Sequence, residues 1–221
     1  MTQHLSEEEL ALLRMPARAT SADVVHTPTT ESECVEPDAS LVELHDSLAD
    51  VLAANLGQLV GRELHVNLKE QRRCTRAEFL LGRPTPTVCA VIRAENVQVE
   101  AYVLLQPSIL YPMLDFVLGC KQSDPIPQRP ISEIEMGVAE LLVNEVISSY
   151  DESWQSVLNL NLRVHRFEHN LQRIASTVSE DLHYVACYEI QTGNHFGLLD
   201  ICLPWNATKP LRARLAKITE S

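Results

Sequence analysis

The chain of 221 residues carries 30 acidic side chains against 18 lysines and arginines, a formal charge of −12, and the roughly 180 residues beyond its polar start are enough for one well-buried core. This acid excess, with no Lys/Arg cluster interleaved with aromatics, leaves no footprint for a phosphate backbone and excludes nucleic acid as a partner. No uncharged apolar run approaches the length of a membrane span, and Glu7, Glu8 and Glu9 stand where a signal peptide needs basic then apolar residues, so the sequence reads as a soluble intracellular protein with no transmembrane segment.

The first element is a minimal helix. In Leu5-Ser6-Glu7-Glu8-Glu9-Leu10, Ser6 can cap the amide three residues on while Glu9 reaches back to the Ser6 amide, and Leu5 and Leu10 flank this box as a hydrophobic staple. Three glutamates in the first turn suit the positive end of the helix dipole, and Met15-Pro16 stops the helix. About two turns are too short to be stable alone, because nucleation costs more than so few hydrogen bonds return. Residues 17–39 are rich in Thr, Ser, Pro and Glu without apolar periodicity and read as a flexible tether. Residues 1–40 hold eight acids against Arg14 and Arg18, a net of −6, so half the charge excess lies on this arm. A leucine-faced helix on a long tether has the form of a docking peptide that lays Leu10 and Leu13 in a groove; a capped, frayed terminus is the plainer alternative. The organisation is therefore a docking helix over 1–15, a linker over 16–39 and one domain over 40–221.

That domain repeats one order of elements. A helix from Leu41 to about Gln58 precedes the alternating strand 63–68, a hairpin of Thr87–Ala94 and Val97–Leu105, and a short helix opened by Pro107. From Ile131 the order recurs: a helix to about Val157, an alternating strand 158–164, a hairpin of His183–Ile190 and His195–Leu203, and a helix opened by Pro204. The halves fall at about 40–121 and 131–221. Leu41, Leu44, Leu48, Val51, Leu52 and Leu59 form the core stripe of the first helix, and Ile134, Val138, Leu141, Leu142 and Ile147 that of the second. Leu64, Val66 and Leu68 alternate in one strand as Leu160, Leu162 and Val164 do in its counterpart. The expected class is α/β (α+β), a mainly antiparallel sheet flanked by helices.

Candidate chemistry is sparse. Cys34, Cys74, Cys89, Cys120, Cys187 and Cys202 form no Cys-x-x-Cys pair, and three of them fall inside strands, which argues for reduced, packed thiols without disulfide or zinc. His165 and His169 on an extended strand would stand roughly 13 Å apart, too far for one ion. No phosphate loop or nucleophile motif is present, so the reading assigns no catalytic residue, metal or cofactor. A polar stripe of Glu133, Gly137, Glu140, Asn144, Ser148 and Asp151 lines one face of the second long helix. It reads as a solvated face, with positioning of a water for attack on an acyl phosphate as the sharper alternative.

Several segments in order carry a resemblance: Leu44-His45-Asp46-Ser47-Leu48, Ala77-Glu78-Phe79-Leu80, Pro84-Thr85-Pro86-Thr87-Val88, Asp115-Phe116-Val117-Leu118-Gly119 and Arg129-Pro130-Ile131-Ser132-Glu133-Ile134-Glu135. They resemble the middle domain of the FliM family of bacterial flagellar motor switch proteins. The stretch from Leu5 to Leu13 is similar to the peptide by which that family binds the phosphorylated chemotaxis regulator CheY. The resemblance implies a CheC-like fold, itself an internal duplication about a pseudo-twofold axis. It implies no enzymatic activity: the job is coupling bound CheY to the rotor protein FliG and so setting rotation direction in chemotaxis and motility. Leu5, Ser6, Glu7, Glu9, Leu10, Leu12 and Leu13 would then contact CheY. The implied partners also include further copies in a ring and a FliN-type subunit, and the implied location is the cytoplasmic side of the inner membrane in the flagellar basal body.

The sequence departs from the family in three places. The peptide is one residue shorter and lacks the acid before the final Ala-Leu-Leu. The family's Gly-Gly-x-Gly loop stands here as Leu118-Gly119-Cys120-Lys121 with one glycine of three, which leaves its contact with FliG open. The FliN-like domain that typical members carry after the middle domain is not expected within these residues. A CheC-type phosphatase is the alternative, though in place of its Glu-x-x-Asn pair stand Glu140 and Asn144 with three residues between them; a divergent regulator-binding paralogue outside the motor is another.

Overall fold

The computed structural model describes residues 39–84, 86–94, 97–120, 126–127, 129–154, 161–168, 171, 174, 182–209 and 212. The docking helix and most of the tether fall outside them. In chain order the elements are α1 (Ala39–Val60), β1 (His65–Thr75), α2 (Arg76–Leu80), β2 (Val88–Ala94), β3 (Val97–Leu105), α3 (Pro107–Leu118), α4 (Glu133–Trp154), β4 (Leu162–Glu168), β5 (Leu182–Thr192) and β6 (His195–Pro204). A helical segment follows over 205–209, after Pro204 as the sequence suggests.

All six strands form one sheet in the order β1-β5-β6-β3-β2-β4, every pairing antiparallel. Exchanging the first three strands for the last three turns this order into its own reverse, the signature of a twofold axis between β3 and β6. The first strand of each half pairs with the hairpin of the other: β1 with β5, β4 with β2. Counterparts lie 94 residues apart in the long helices (Val60 and Trp154), 96 in the first strands (Lys69 and His165) and 98 in the third (Val103 and Ile201). Even the bulges coincide. Lys69 is the extra residue between Leu68 and Glu70 in β1, and His165 the extra residue of β4 opposite the Val91/Ile92 step.

Alternation along the strands builds two cores. Val88, Ala90, Ile92, Ala101, Val103, Leu105, Tyr184, Ala186, Tyr188 and Ile190 turn to the face covered by α1, α3 and α4. Cys89, Val91, Tyr102, Leu104, Val185 and Cys202 turn to a smaller core closed by Phe79, Leu80 and Ile174. Burial pushes the Cys89 and Cys187 thiols up to about 12, so these cysteines behave as small apolar groups.

Three sequence expectations change. β1 runs past residue 68 to Thr75, because its bulge lets a charged segment, Glu70–Arg73, continue on an edge strand where charge is tolerated. The strand expected over 158–164 lies at Leu162–Glu168; Leu160 is outside the described residues. Ile134 and Leu141 are not core: they are 73% and 54% exposed, while Val138, Ala139, Leu142, Val143, Val146, Ile147, Tyr150 and Trp154 form the buried stripe. The two exposed residues are one heptad apart and so share a face, on the side away from that stripe.

One buried cluster breaks the symmetry. His45 on α1 is fully buried, hydrogen-bonded through Nδ1 to the Tyr188 hydroxyl, with ring centroids 5.9 Å from Tyr150 and 5.4 Å from Tyr184. Its counterpart in α4 is Ala139, and those of Tyr184 and Tyr188 are Val88 and Ile92, so one half places a polar cluster where the other is aliphatic. Burial pushes the His45 pKa down to about 3 from 6.5, and its Nε2 has no hydrogen-bond partner to receive a proton. The unfolded state therefore binds more protons between those values. Stability is full above about pH 6.5 and falls by up to ~1.4 kcal/mol per pH unit towards pH 3. Urea unfolding across that range should show this slope, and His45→Phe should flatten it.

A second contact fixes α3. Gly197 lies under its first turn, where a Cβ would come 2.6 Å from Ser108 Oγ and 2.7 Å from Ile109 Cβ. Gly197→Ala should cost about 1–3 kcal/mol in unfolding free energy, whereas the same change at Gly137, where a Cβ would meet nothing within 4 Å, should cost little.

Candidate partner-binding site

The described residues that match the sequence-read contact loop sit at the end of α3. This helix begins with Pro107 at its first position, where a missing N–H costs nothing. It is tied to β6 by Gln106 N–H to Leu198 O (3.0 Å) and Leu198 N–H to Gln106 Oε1 (3.3 Å). At its other end Gly119 adopts φ 68°, ψ 21°, a left-handed conformation that favours glycine. Its N–H reaches Phe116 O at 3.1 Å and the Cys120 N–H reaches Asp115 O at 2.8 Å, the paired bonds that satisfy the last carbonyls of a helix. The one glycine kept from the family's loop is thus the one that ends the helix. Leu118, 43% exposed, and the exposed Cys120 point to solvent beside it. Lys121 lies outside the described residues, as do Leu5, Ser6, Glu7, Glu9, Leu10, Leu12 and Leu13.

The far side of this loop is pinned at the start of α4. Ser132 and Glu135 form a capping box: Glu135 N–H to Ser132 Oγ at 3.4 Å and Ser132 N–H to Glu135 Oε2 at 2.8 Å. Arg129 grips the same carboxylate through two bonds of 2.7 Å, and the Arg129 carbonyl accepts from the Tyr111 hydroxyl of α3 at 3.4 Å. This geometry gives arginine, serine and glutamate of the Arg129–Glu135 segment one shared task. The Arg129 guanidinium, with Ser132, holds the Glu135 carboxyl down to about 2.

The polar stripe of α4 has a different setting. Glu140, Asn144, Ser148 and Asp151 line a groove of about 800 Å³ opposite Arg163, His165 and Arg166 of β4, while Glu133 and Gly137 are exposed outside it. β4 ends the sheet, and six consecutive residues from Leu162 to Phe167 line the groove, so the groove follows the strand's edge. Among the described residues no three His, Cys, Asp or Glu side chains converge as a metal site. His165 is in β4, and His169 is outside the described residues.

The sequence model of the family described as "Flagellar motor switch protein FliM" matches residues 36–219. Similar curated proteins include that of Treponema pallidum, 24% identical over 78% of this chain and 50% of its own length, and that of Borreliella burgdorferi, 24% identical over 88% of this chain and 59% of its own. The chain thus spans about half to three-fifths of the length of the relatives it matches. Among solved structures, the FliM chain of a FliG–FliM complex from H. pylori superposes with a TM-score of 0.70 at 24% identity, covering 75% of this chain and 91% of that one. At that identity the likeness is one of fold.

Glu135→Ala removes the reciprocal cap and the ion pair together and should cost about 1–2 kcal/mol at neutral pH. Because the folded carboxyl titrates near 2 and the unfolded one near 4.5, this contribution is complete above pH 4.5 and is lost as pH falls through 2. Chemical unfolding of both proteins at pH 7 and pH 2 should show the difference closing at the lower value.

Proposed function

This chain belongs to the flagellar motor switch protein FliM family, and on that premise we propose that it is a component of the flagellar motor switch that couples phosphorylated CheY to FliG. The single observation that carries this reading is the family match across the whole described domain. The arm acts as the capture element: Leu10 and Leu13 are the apolar anchors, and Glu7 and Glu9 complete the first turn once the helix folds on its partner. The domain acts as the rigid body that passes the event on. Its surface towards FliG is the end of α3, with Leu118, Gly119 and Cys120 fixed by the Gly119 helix cap and Lys121 next in the chain, beside the Arg129–Glu135 clamp at the start of α4.

Further copies of the chain and a FliN-type subunit complete the assembly at the cytoplasmic side of the inner membrane. The role is mechanical, with no chemical step. No described helix is long and apolar enough to cross a membrane, so attachment in this reading runs through protein contacts.

Replacing both Leu10 and Leu13 by alanine should weaken binding of phosphorylated CheY by on the order of 2–4 kcal/mol, because two buried anchors are lost. Titration of labelled protein with CheY, with and without an acyl-phosphate mimic, measures it. Unchanged affinity in the double variant removes the peptide as the capture element, and faster loss of phosphate from genuine phosphorylated CheY replaces the switch reading with that of a phosphatase.

A further inference from the structure

Two arginines share one indole at the end of the sheet. On β1, Arg73 pairs with Tyr184 of β5, which pairs with Leu203 of β6, so Arg73 lies on the helix-bearing face where the chain leaves β6 for Trp205. The Arg73 guanidinium carbon is 4.5 Å from the Trp205 ring centroid and that of Arg212 is 3.8 Å from it. Being 4.5 and 3.8 Å from one point, the two charges are at most about 8 Å apart. Trp205 is held by its own turn, its carbonyl accepting from the Thr208 hydroxyl at 2.7 Å.

Stacking satisfies the faces of a guanidinium but leaves its N–H edges unused. Neither arginine has a carboxylate partner among the described residues. Arg72, Arg83, Arg93, Arg129 and Arg166 each have one. Arg212 Nε is shielded from solvent without any hydrogen-bond partner. In a chain with 30 acids against 18 bases, two adjacent positive charges with no carboxylate partner among the described residues stand out, and an anion brought by a partner would relieve their repulsion.

The neighbouring backbone defines the shape of that anion. β1 is the terminal strand of the sheet, and its outer edge is unpaired among the described residues. An extended segment laid there would gain main-chain hydrogen bonds. Its side chains at alternate positions would fall on one face about 7 Å apart, so a carboxylate at one of them stands at the arginine corner while its neighbours follow the strand. We propose that the Arg73–Trp205–Arg212 corner, with the free edge of β1, is a docking site for an extended acidic segment of a partner protein carrying carboxylates at alternate positions. The site lies outside the α3–α4 loop, and its existence does not rest on the switch reading.

Fluorescence anisotropy of the full chain with a labelled heptapeptide of alternating Glu and Val tests it. Expected are saturable binding that weakens as salt rises from 50 to 300 mM, a loss of tenfold or more in Arg73→Gln/Arg212→Gln, and slowed amide exchange over residues 65–75 on binding. Should the neutral variant unfold, Arg73→Glu/Arg212→Glu is used with an alternating Lys and Val peptide. A gain of binding supports the site; no gain, with the variant folded by circular dichroism, refutes it. Equal binding of a Gln/Val peptide overturns the proposal by showing that charge is not read. Full displacement by equimolar inorganic phosphate overturns it in favour of a small-anion site. Protection over residues 162–168 instead of 65–75 also overturns it, because the peptide would then lie on the opposite edge.

Discussion

The arrangement on which the rest of the molecule depends is the exchange of first strands between the two halves. β1 finds its only described pairing on β5, and β4 on β2, so each half carries an outer strand that belongs to the other's hairpin. Neither half can satisfy its backbone hydrogen bonds without the other, and the central β3–β6 pairing joins the two hairpins into one sheet. Residues such as Val88 and Val185, from different halves, are thereby fixed in one continuous sheet with a core on each face. The edges that could meet partners are consequently displayed on one continuous scaffold.

The twofold axis also defines where function is free to differ. The long helices bury equivalent positions, Leu48 with Leu142 and Leu52 with Val146, so both halves pack the same helix face onto the sheet. Elsewhere the halves part company, within the core as well as at its edges. His45, Tyr184 and Tyr188 make one side polar where Ala139, Val88 and Ile92 keep the other aliphatic. Trp205, which collects two arginines, stands where the first half has Pro107 opening α3. The groove of Glu140, Asn144 and Asp151 follows the β4 edge, whereas the corresponding β1 edge carries the arginine corner. A duplicated scaffold has in this way acquired two dissimilar edges.

Much of this was legible in the sequence, for identifiable reasons. The phase of Leu64, Val66 and Leu68 against Leu160, Leu162 and Val164 gave the same 96-residue offset that the strand register gives, because alternation reports a face whether or not the element limits are right. The segments from Arg129 to Glu135 and from Asp115 to Gly119 were visible as motifs, and the structure adds the cause: a capping box clamped by arginine, and a helix closed on a left-handed glycine. The continuation of β1 through Glu70–Arg73 was hidden because charged residues on an edge strand mimic a loop. Ile134 and Leu141 were assigned to the core because a heptad of apolar residues looks alike whether it faces protein or solvent. Nothing in the spacing suggested that Arg73 meets Trp205 and Arg212, since β1 reaches them only through the pairing of β1 with β5 and of β5 with β6.

Apart from the short helix Arg76–Leu80, which the sequence reading did not include, the sequence alone determined the element types, their order, the internal repeat and the family, because these rest on local periodicity, capping and turn residues that act over a few positions. It also determined the acidic arm as a candidate capture element, through a capping box and staple contained within six residues. The tertiary structure decided which half's strands pair, where the bulges fall, which helix face is buried and which side chains meet at the sheet's ends. Those are outcomes of competition among long-range pairings, in which a strand takes the partner that buries most surface and leaves fewest backbone groups unpaired.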